Sequence, residues 1–294
     1  MKRMYGEGFR FEERPGLCAP REALEARTLL QRARGVLSIA FRRRGEATVL
    51  ADLRQEGCLK ARFPRPHDGM QAVILNTSGG VAGGDVLRTA IHLNEAAVAT
   101  ITSQAAERHY RALPGDAPAS IHTDISLENA AALDWLPQEA ILFDACALDR
   151  RLSVDMAADA IFLGLECLVF GRAAMGERVA TARIRDTISI RRAGTLILHD
   201  AIRLPENIDS ALARPAIAAG ARAVATLLLV APDAATKLDG LRGRLAPHEA
   251  GASAWNGLLL ARILAPDAAQ LRQAVVAGLD YLRGGRILPR LWMC

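Results

Sequence analysis

From about Val36 to Leu204, apolar and polar positions alternate in short runs. Ile121, Thr123, Ile125 and Leu127 fall on one side, with His122, Asp124 and Ser126 on the other. Leu152, Val154 and Met156 alternate with Arg151, Ser153 and Asp155, and Leu87, Thr89, Ile91 and Leu93 with Val86, Arg88, Ala90 and His92. A period of two belongs to a strand with one face buried. Runs at 47–53, 72–76, 97–103, 139–143, 160–170 and 181–191 read the same way. Pro64, Pro66, Gly83-Gly84, Pro114-Gly115 and Gly194 separate many of them, and Arg42-Arg43-Arg44-Gly45 falls where a hairpin tip belongs. Many short strands punctuated by turns predict a sandwich, a barrel or stacked sheets.

The C-terminal third changes period. Asp233 is an N-cap candidate ahead of Leu238, Leu241 and Leu245 at helical spacing. Asp267 caps a better helix, with Leu271, Val275, Leu279 and Leu282 along one face and Gly284 as its stop. Residues Trp255–Leu264 fit either strand or helix. The expected fold class is mainly β: stacked, twisted sheets of many short strands in one body (32–294), with a few helices in the C-terminal third, at about 233–284. Residues 1–31 lack periodicity and read as a mobile lead-in.

Composition narrows the class. The longest apolar runs, such as Ala160–Leu165 and Ala223–Val230, fall far short of the roughly 20 residues a membrane helix needs. The first residues show no secretory pattern, so a soluble cytoplasmic protein is expected. Net charge is +5, and Lys2, Lys60 and Lys237 are the only lysines among 37 basic residues, the rest being arginine. Arginine suits bidentate recognition of carboxylate or phosphate, although GC-rich coding gives the same bias. Aromatics are 4% of the chain, which argues against base stacking. Five scattered cysteines without C-x-x-C argue against a disulfide framework and a zinc cage.

Candidate chemistry lies in four places. Asn76-Thr77-Ser78-Gly79-Gly80-Val81-Ala82-Gly83-Gly84-Asp85 is either an anion cradle or a tight connection needing positive φ. No Gly-Lys-Ser/Thr follows, so it is not a P-loop, and Asp85 would leave a sharp turn able to face a cavity. Asp134 and Glu139 flank Trp135-Leu136-Pro137, as an acid–base or cation pair or as solvated loop residues. Glu166 stands inside an apolar segment, where an unpaired carboxylate would cost several kcal/mol, on the order of the cost of burying any lone charge; it must meet an arginine such as Arg172, a metal, water or a partner. Gly171 and Gly176 bracket a bend bringing Arg172 near Glu177, and His199-Asp200 sets an imidazole beside a carboxylate. No nucleophilic triad follows from spacing, and no catalytic residue is assigned.

These stretches occur in an ordered set: Leu53–Arg62, Asn76–Asp85, Thr102–Arg108, Asp134–Glu139, Phe170-Gly171-Arg172 with Met175-Gly176-Glu177, Gly251–Ala254 and Leu288–Trp292. The set resembles the urease accessory protein UreD family (UreH in some organisms) from near Gly35 onward. It departs from one common family form by carrying Ser78 where a proline precedes the first glycine pair. The resemblance implies a mainly β fold and a protein that is not an enzyme. It implies assembly with UreF and the GTPase UreG on apo-urease, no permanently bound cofactor, and transient passage of Ni²⁺ to the urease site. Asp85, Glu139, Glu166, Glu177 and Asp200 stand at the motif positions resembling acidic residues of the family and are the expected lining of that passage. Isolated carboxylates bind such an ion weakly enough to release it, unlike a thiolate cage. Two alternatives are a metal-dependent hydrolase using Asp134, Glu139 and His199, and an Arg-rich nucleic-acid-binding β protein.

Overall fold

The computed structural model describes residues 31–64, 69–172, 175–204 and 207–293. Apart from Gln31, the expected lead-in lies outside the described residues. The first strands are β1 (Arg34–Arg44), β2 (Ala47–Gly57), β3 (Leu59–Arg62), β4 (Met70–Asn76), β5 (Val86–Leu93) and β6 (Val98–Ser103). Then come β7 (Glu107–His109), β8 (Ala119–Leu127), β9 (Ala132–Leu136), β10 (Ala140–Leu142), β11 (Ala147–Met156) and β12 (Ile161–Phe170). The chain continues through β13 (Arg183–Arg192), β14 (Thr195–Leu204), α1 (Ile208–Ala213), β15 (Ala223–Val230), α2 (Leu238–Leu245), β16 (Glu249–Trp255), β17 (Leu258–Ala265) and α3 (Ala268–Leu282).

One sheet has seven strands in the order β14-β13-β11-β8-β5-β1-β2, and the other runs β16-β17-β15-β12-β9-β6-β4-β3, with β10 joining β12 to β7. From β5 to β13 the chain alternates between them, β5, β8, β11 and β13 entering the first sheet and β6, β9 and β12 the second. A strand of one sheet therefore serves as the crossover for the other. Neighbours β5/β8, β8/β11 and β11/β13 consequently run parallel without an intervening helix. Hairpins supply the antiparallel edges, including β1–β2 around Gly45 (φ 60°), at the arginine-rich tip the sequence predicts.

The alternation buries one face of each sheet against the other. Leu37, Ile39, Phe41, Leu87, Ile91, Ile125, Leu152, Val154 and Ile188 meet Ile101, Leu133, Phe162, Leu168 and Leu228 in that inter-sheet core. The second sheet also buries its outer face. Leu163, Leu165, Cys167, Leu227, Leu229, Ala261 and Ile263 pack under Leu241, Leu245, Leu271, Val275 and Leu279 of α2 and α3. Burial on both faces is why β12 and β15 are continuous apolar runs and not alternating ones.

The two helices that the leucine spacing predicts in the C-terminal third are α2 and α3. β15, β16 and β17 extend the second sheet through this region, and Asn256 (φ 48°) and Gly257 (φ 72°) form the tight hairpin turn within the segment whose pattern left strand and helix open. Asp267 caps α3 as expected, accepting from the Gln270 amide at 2.8 Å, and Gly284 (φ 63°) ends it. Asp233 makes no side-chain cap; a 3₁₀ turn, Ala234–Lys237, leads into α2 instead. The short α1 gave no periodic signal. No helix among the described residues is long and apolar enough to cross a membrane.

Candidate functional site

A polar row crosses the apolar space between the sheets. In the second sheet Glu166, Thr226 and Arg262 are successive register partners on β12, β15 and β17. In the first, Arg150 of β11 is in register with Asp186 of β13. Both occupy the inward phase of their strands, between Leu148 and Leu152 and between Ile184 and Ile188. Arg150 bridges the sheets: Nη1 lies 2.7 Å from Glu166 Oε2, while Nε and Nη2 donate to the two oxygens of Asp186 at 2.9 and 2.7 Å. Trp135 Nε1–H donates to the other Glu166 oxygen at 3.0 Å. Farther along, Arg262 donates to Thr226 Oγ1 at 2.8 Å and to Asp200 Oδ2 at 2.7 Å.

Burial pushes the Glu166 carboxyl above its ordinary range; Arg150 opposes the shift and the nearby Asp186 charge reinforces it. His109 is in register with Leu142, which is in register with Phe170, so its side chain shares the inter-sheet face with Glu166. It is 2% exposed and its Nδ1 has no hydrogen-bond partner. Burial and then the Arg150 charge lower it to about 3, leaving a neutral ring. The Cys146 thiol is raised to about 12 by burial, and burial raises Cys167 as well.

The remaining expected acids are all engaged. The two oxygens of Asp85 accept from the Ala33 and Ala82 amides, each at 2.8 Å, and so tie the glycine-rich loop to the start of β1. In that loop Gly79 and Gly80 have positive φ, and a Cβ on Gly80 would meet the Tyr110 ring at 2.3 Å. The tight-connection reading therefore holds. Ser78 Oγ sits 2.5 Å from Asn76 Oδ1 and 2.8 Å from the Gly80 carbonyl oxygen. Arg172 meets Glu177 at 2.6 Å across the predicted bend and stacks over Phe143, so it is not the partner of Glu166.

Asp134 and Glu139 are not solvated loop residues. Asp134 is buried on the helix-facing side of β9, 2.9 Å from Arg283 Nε and 3.1 Å from Arg286, and Glu139 lies 3.5 Å from Arg272 of α3. His199 sits on the outer face of the first sheet, its Nδ1 3.0 Å from Ser189 Oγ, so it cannot join Asp134 and Glu139 in one hydrolytic centre. Adjacent strand residues point to opposite faces, which also parts His199 from Asp200. Among the described residues no three His, Cys, Asp or Glu side chains converge to hold a metal ion. Two surface hollows, of about 260 and 360 Å³, are lined by none of the five expected acids.

Sequence reasoning passed over Arg150, Asp186, His109 and Glu107. The signal for the first two was a charge at the apolar phase of an alternating strand. Glu107 belongs to a motif already noted; it accepts from Asn76 Nδ2 at 3.2 Å, and burial raises its carboxyl.

Comparison with known proteins adds what geometry alone cannot. A family model described as "UreD urease accessory protein" matches residues 33–293. A protein of Xanthobacter autotrophicus named urease accessory protein UreD is 45% identical over 280 residues, covering 95% of this chain and 94% of its own. Like-named proteins of a Methylobacterium species and of Dinoroseobacter shibae are each 46% identical. They cover 84% and 90% of this chain, and 90% and 93% of their own lengths. With the match spanning both sheets, the helices and every motif described above, the chain belongs to the UreD family of urease accessory proteins.

Proposed function

We propose that this protein is a non-enzymatic, cytoplasmic scaffold of urease maturation that assembles with UreF and the GTPase UreG on apo-urease and passes Ni²⁺ to the urease active site. The observation that carries this reading is the inter-sheet polar row, from half-buried Asp200 and Arg262 inward to Glu166, in a chain of this family. Carboxylates spaced along such a row hold a divalent ion more weakly than thiolates and let it move on. Glu166 and Asp200 belong to the row itself; Asp85, Glu139 and Glu177 are proposed to complete the passage at the loop and helix ends.

Four of these acids meet arginines and the fifth meets backbone amides, so the proposed passage works by exchange of ion-pair partners and not through an open anionic bore. The arginine-rich surface suits acidic partner faces, and assembly is expected to weaken with salt.

The test is co-purification of the full chain with UreF, UreG and the urease subunits, followed by urease activation at limiting nickel. The expected result is a complex whose activation requires this chain and falls at least fivefold in Asp200→Asn, with UreF binding intact. A wild-type complex that forms without supporting nickel-dependent activation would overturn the reading. Full activation by Asp85→Asn and Asp200→Asn alike would remove these residues from the passage.

A further inference from the structure

The outer faces of the two sheets differ. Helices α2 and α3 cover the second sheet, whereas the first turns exposed polar side chains outward. Register fixes where its charges fall. One row across that face carries Arg34, Asp149, Arg185 and Arg203, on β1, β11, β13 and β14. The adjoining row carries Arg88, His122 and Arg151, on β5, β8 and β11. All five arginines are exposed. Six strands about 4.8 Å apart make this band roughly 24 Å long.

Within the band those arginines face a single carboxylate, Asp149. It is spent on Arg151, whose Nη2 and Nε donate to its two oxygens at 2.9 and 3.3 Å. Arg34, Arg88, Arg185 and Arg203 have no ion-pair partner among the described residues. Arg185 and Arg203 are also direct partners across the antiparallel β13–β14 pair. Like charges so placed repel and weaken the pairing; an anionic partner laid over the band relieves that repulsion. The neighbouring rows say what kind of anion fits. Asp124 and Asp155 stand exposed on β8 and β11, also without an ion-pair partner among the described residues, and line a hollow of about 260 Å³ with Ser38, His92 and Ser153. A nucleic-acid backbone crossing the sheet would meet these carboxylates, and the band carries no Phe, Tyr or Trp on which bases could stack. A folded protein can match both signs, with carboxylates over the arginines and a basic side chain in the hollow. We propose that the outer face of the seven-stranded sheet is a docking surface for an acidic protein partner, read by the arginine band and oriented by Asp124 and Asp155. The inference rests on the assembly reading above and assigns one contact within it. Arginine forks take carboxylates two oxygens at a time, and an exposed charged face makes the encounter fast and salt-sensitive.

The full chain is immobilised and presented with UreF, UreG and apo-urease in turn, at about 50 and 300 mM KCl, with binding read by interferometry. One of the three should bind at least tenfold more weakly at the higher salt. Arg185→Glu combined with Arg203→Glu should weaken that same partner at least tenfold at low salt and leave the other contacts intact. Arg185→Gln with Arg203→Gln, which removes charge without reversing it, should cost at least threefold and flatten the salt dependence. Asp124→Lys should also weaken binding, although it adds positive charge. Arg42→Glu with Arg43→Glu, at the hairpin tip, should change it less than twofold. Undiminished binding of all three partners by both Arg185/Arg203 variants would overturn the proposal, as would an equal loss from the hairpin-tip variant. A thymidine oligonucleotide bound more tightly than any of the three proteins would assign the band to nucleic acid. A wild-type dimer in sedimentation velocity that the double reversal abolishes would assign it to a second copy. Either result also overturns the proposal. Wild type that binds its partners while the variants match it sinks this docking face and leaves the assembly reading standing; wild type that binds none of the three sinks the assembly reading itself.

Discussion

Glu166 and Arg150 touch each other, yet removing charge from one or the other has opposite consequences for stability. Glu166→Gln keeps the side-chain shape and an oxygen for the Trp135 donor, and Arg150 retains both bonds to Asp186. The Glu166 carboxyl is raised by burial above its ordinary value of 4.5. The native state thus binds more protons than the unfolded chain in the interval above 4.5, and stability is lost as pH rises through it. A tenfold difference in proton affinity between the folded and unfolded states corresponds to about 1.4 kcal/mol. Glu166→Gln should therefore leave stability unchanged or raise it at pH 7.5, with any gain shrinking toward pH 5. Arg150→Met strands two buried carboxylates and should cost about 3–5 kcal/mol. At roughly 2–4 °C per kcal/mol for a chain of this size, its melting temperature should fall by on the order of 10 °C. Circular-dichroism melts of the full chain at pH 5, 6 and 7.5, with urea midpoints as a second measure, read both signs. If Glu166→Gln loses as much as Arg150→Met at every pH, the contact is an ordinary one-to-one ion pair and the reading of two carboxylates sharing one arginine is wrong.

Two further predictions test neighbouring parts of the structure. His109, lowered to about 3, is neutral when folded and takes a proton near 6.5 when unfolded, so its share of stability is lost as pH falls below 6.5, by up to about 1.4 kcal/mol for each pH unit. His109→Leu should flatten the acid-side decline of the urea midpoint between pH 6.5 and 5; an unchanged slope would refute the assignment. Asp134→Asn leaves the 3%-exposed Arg283 without its anion, so the chain beyond α3 should loosen from β9. Stability should drop by about 3 kcal/mol and trypsin should cut sooner at Arg286 or Arg290; a wild-type digestion pattern would contradict this anchoring role.

Local physics made part of the architecture legible. The period of two located β8, β11 and β5, because each buries one face only. Asp267 and Gly284 bounded α3 through a cap and a left-handed stop that depend on a few adjacent residues. The Arg172–Glu177 contact was readable for the same reason, since five residues and two glycines set it. The pairing of Glu166 was not. The nearby Arg172 is the natural candidate in sequence, but the chain turns from β11 in one sheet to β12 in the other, and this brings Arg150 across the core instead. Asp134 read as a loop acid because its arginines lie about 150 residues downstream.

Alone, the sequence determined the β-rich class, the hairpin tip, the well-capped helix, the UreD resemblance and the set of acids worth watching. Only the tertiary structure decided that the strands wind alternately through two sheets, that β12 is covered on both faces, and that one arginine stands between two buried carboxylates. The reason is range: periodicity, capping and turn chemistry act over a few residues. Which charges meet in a low-dielectric interior depends on register and sheet order, which are collective results of packing the whole chain.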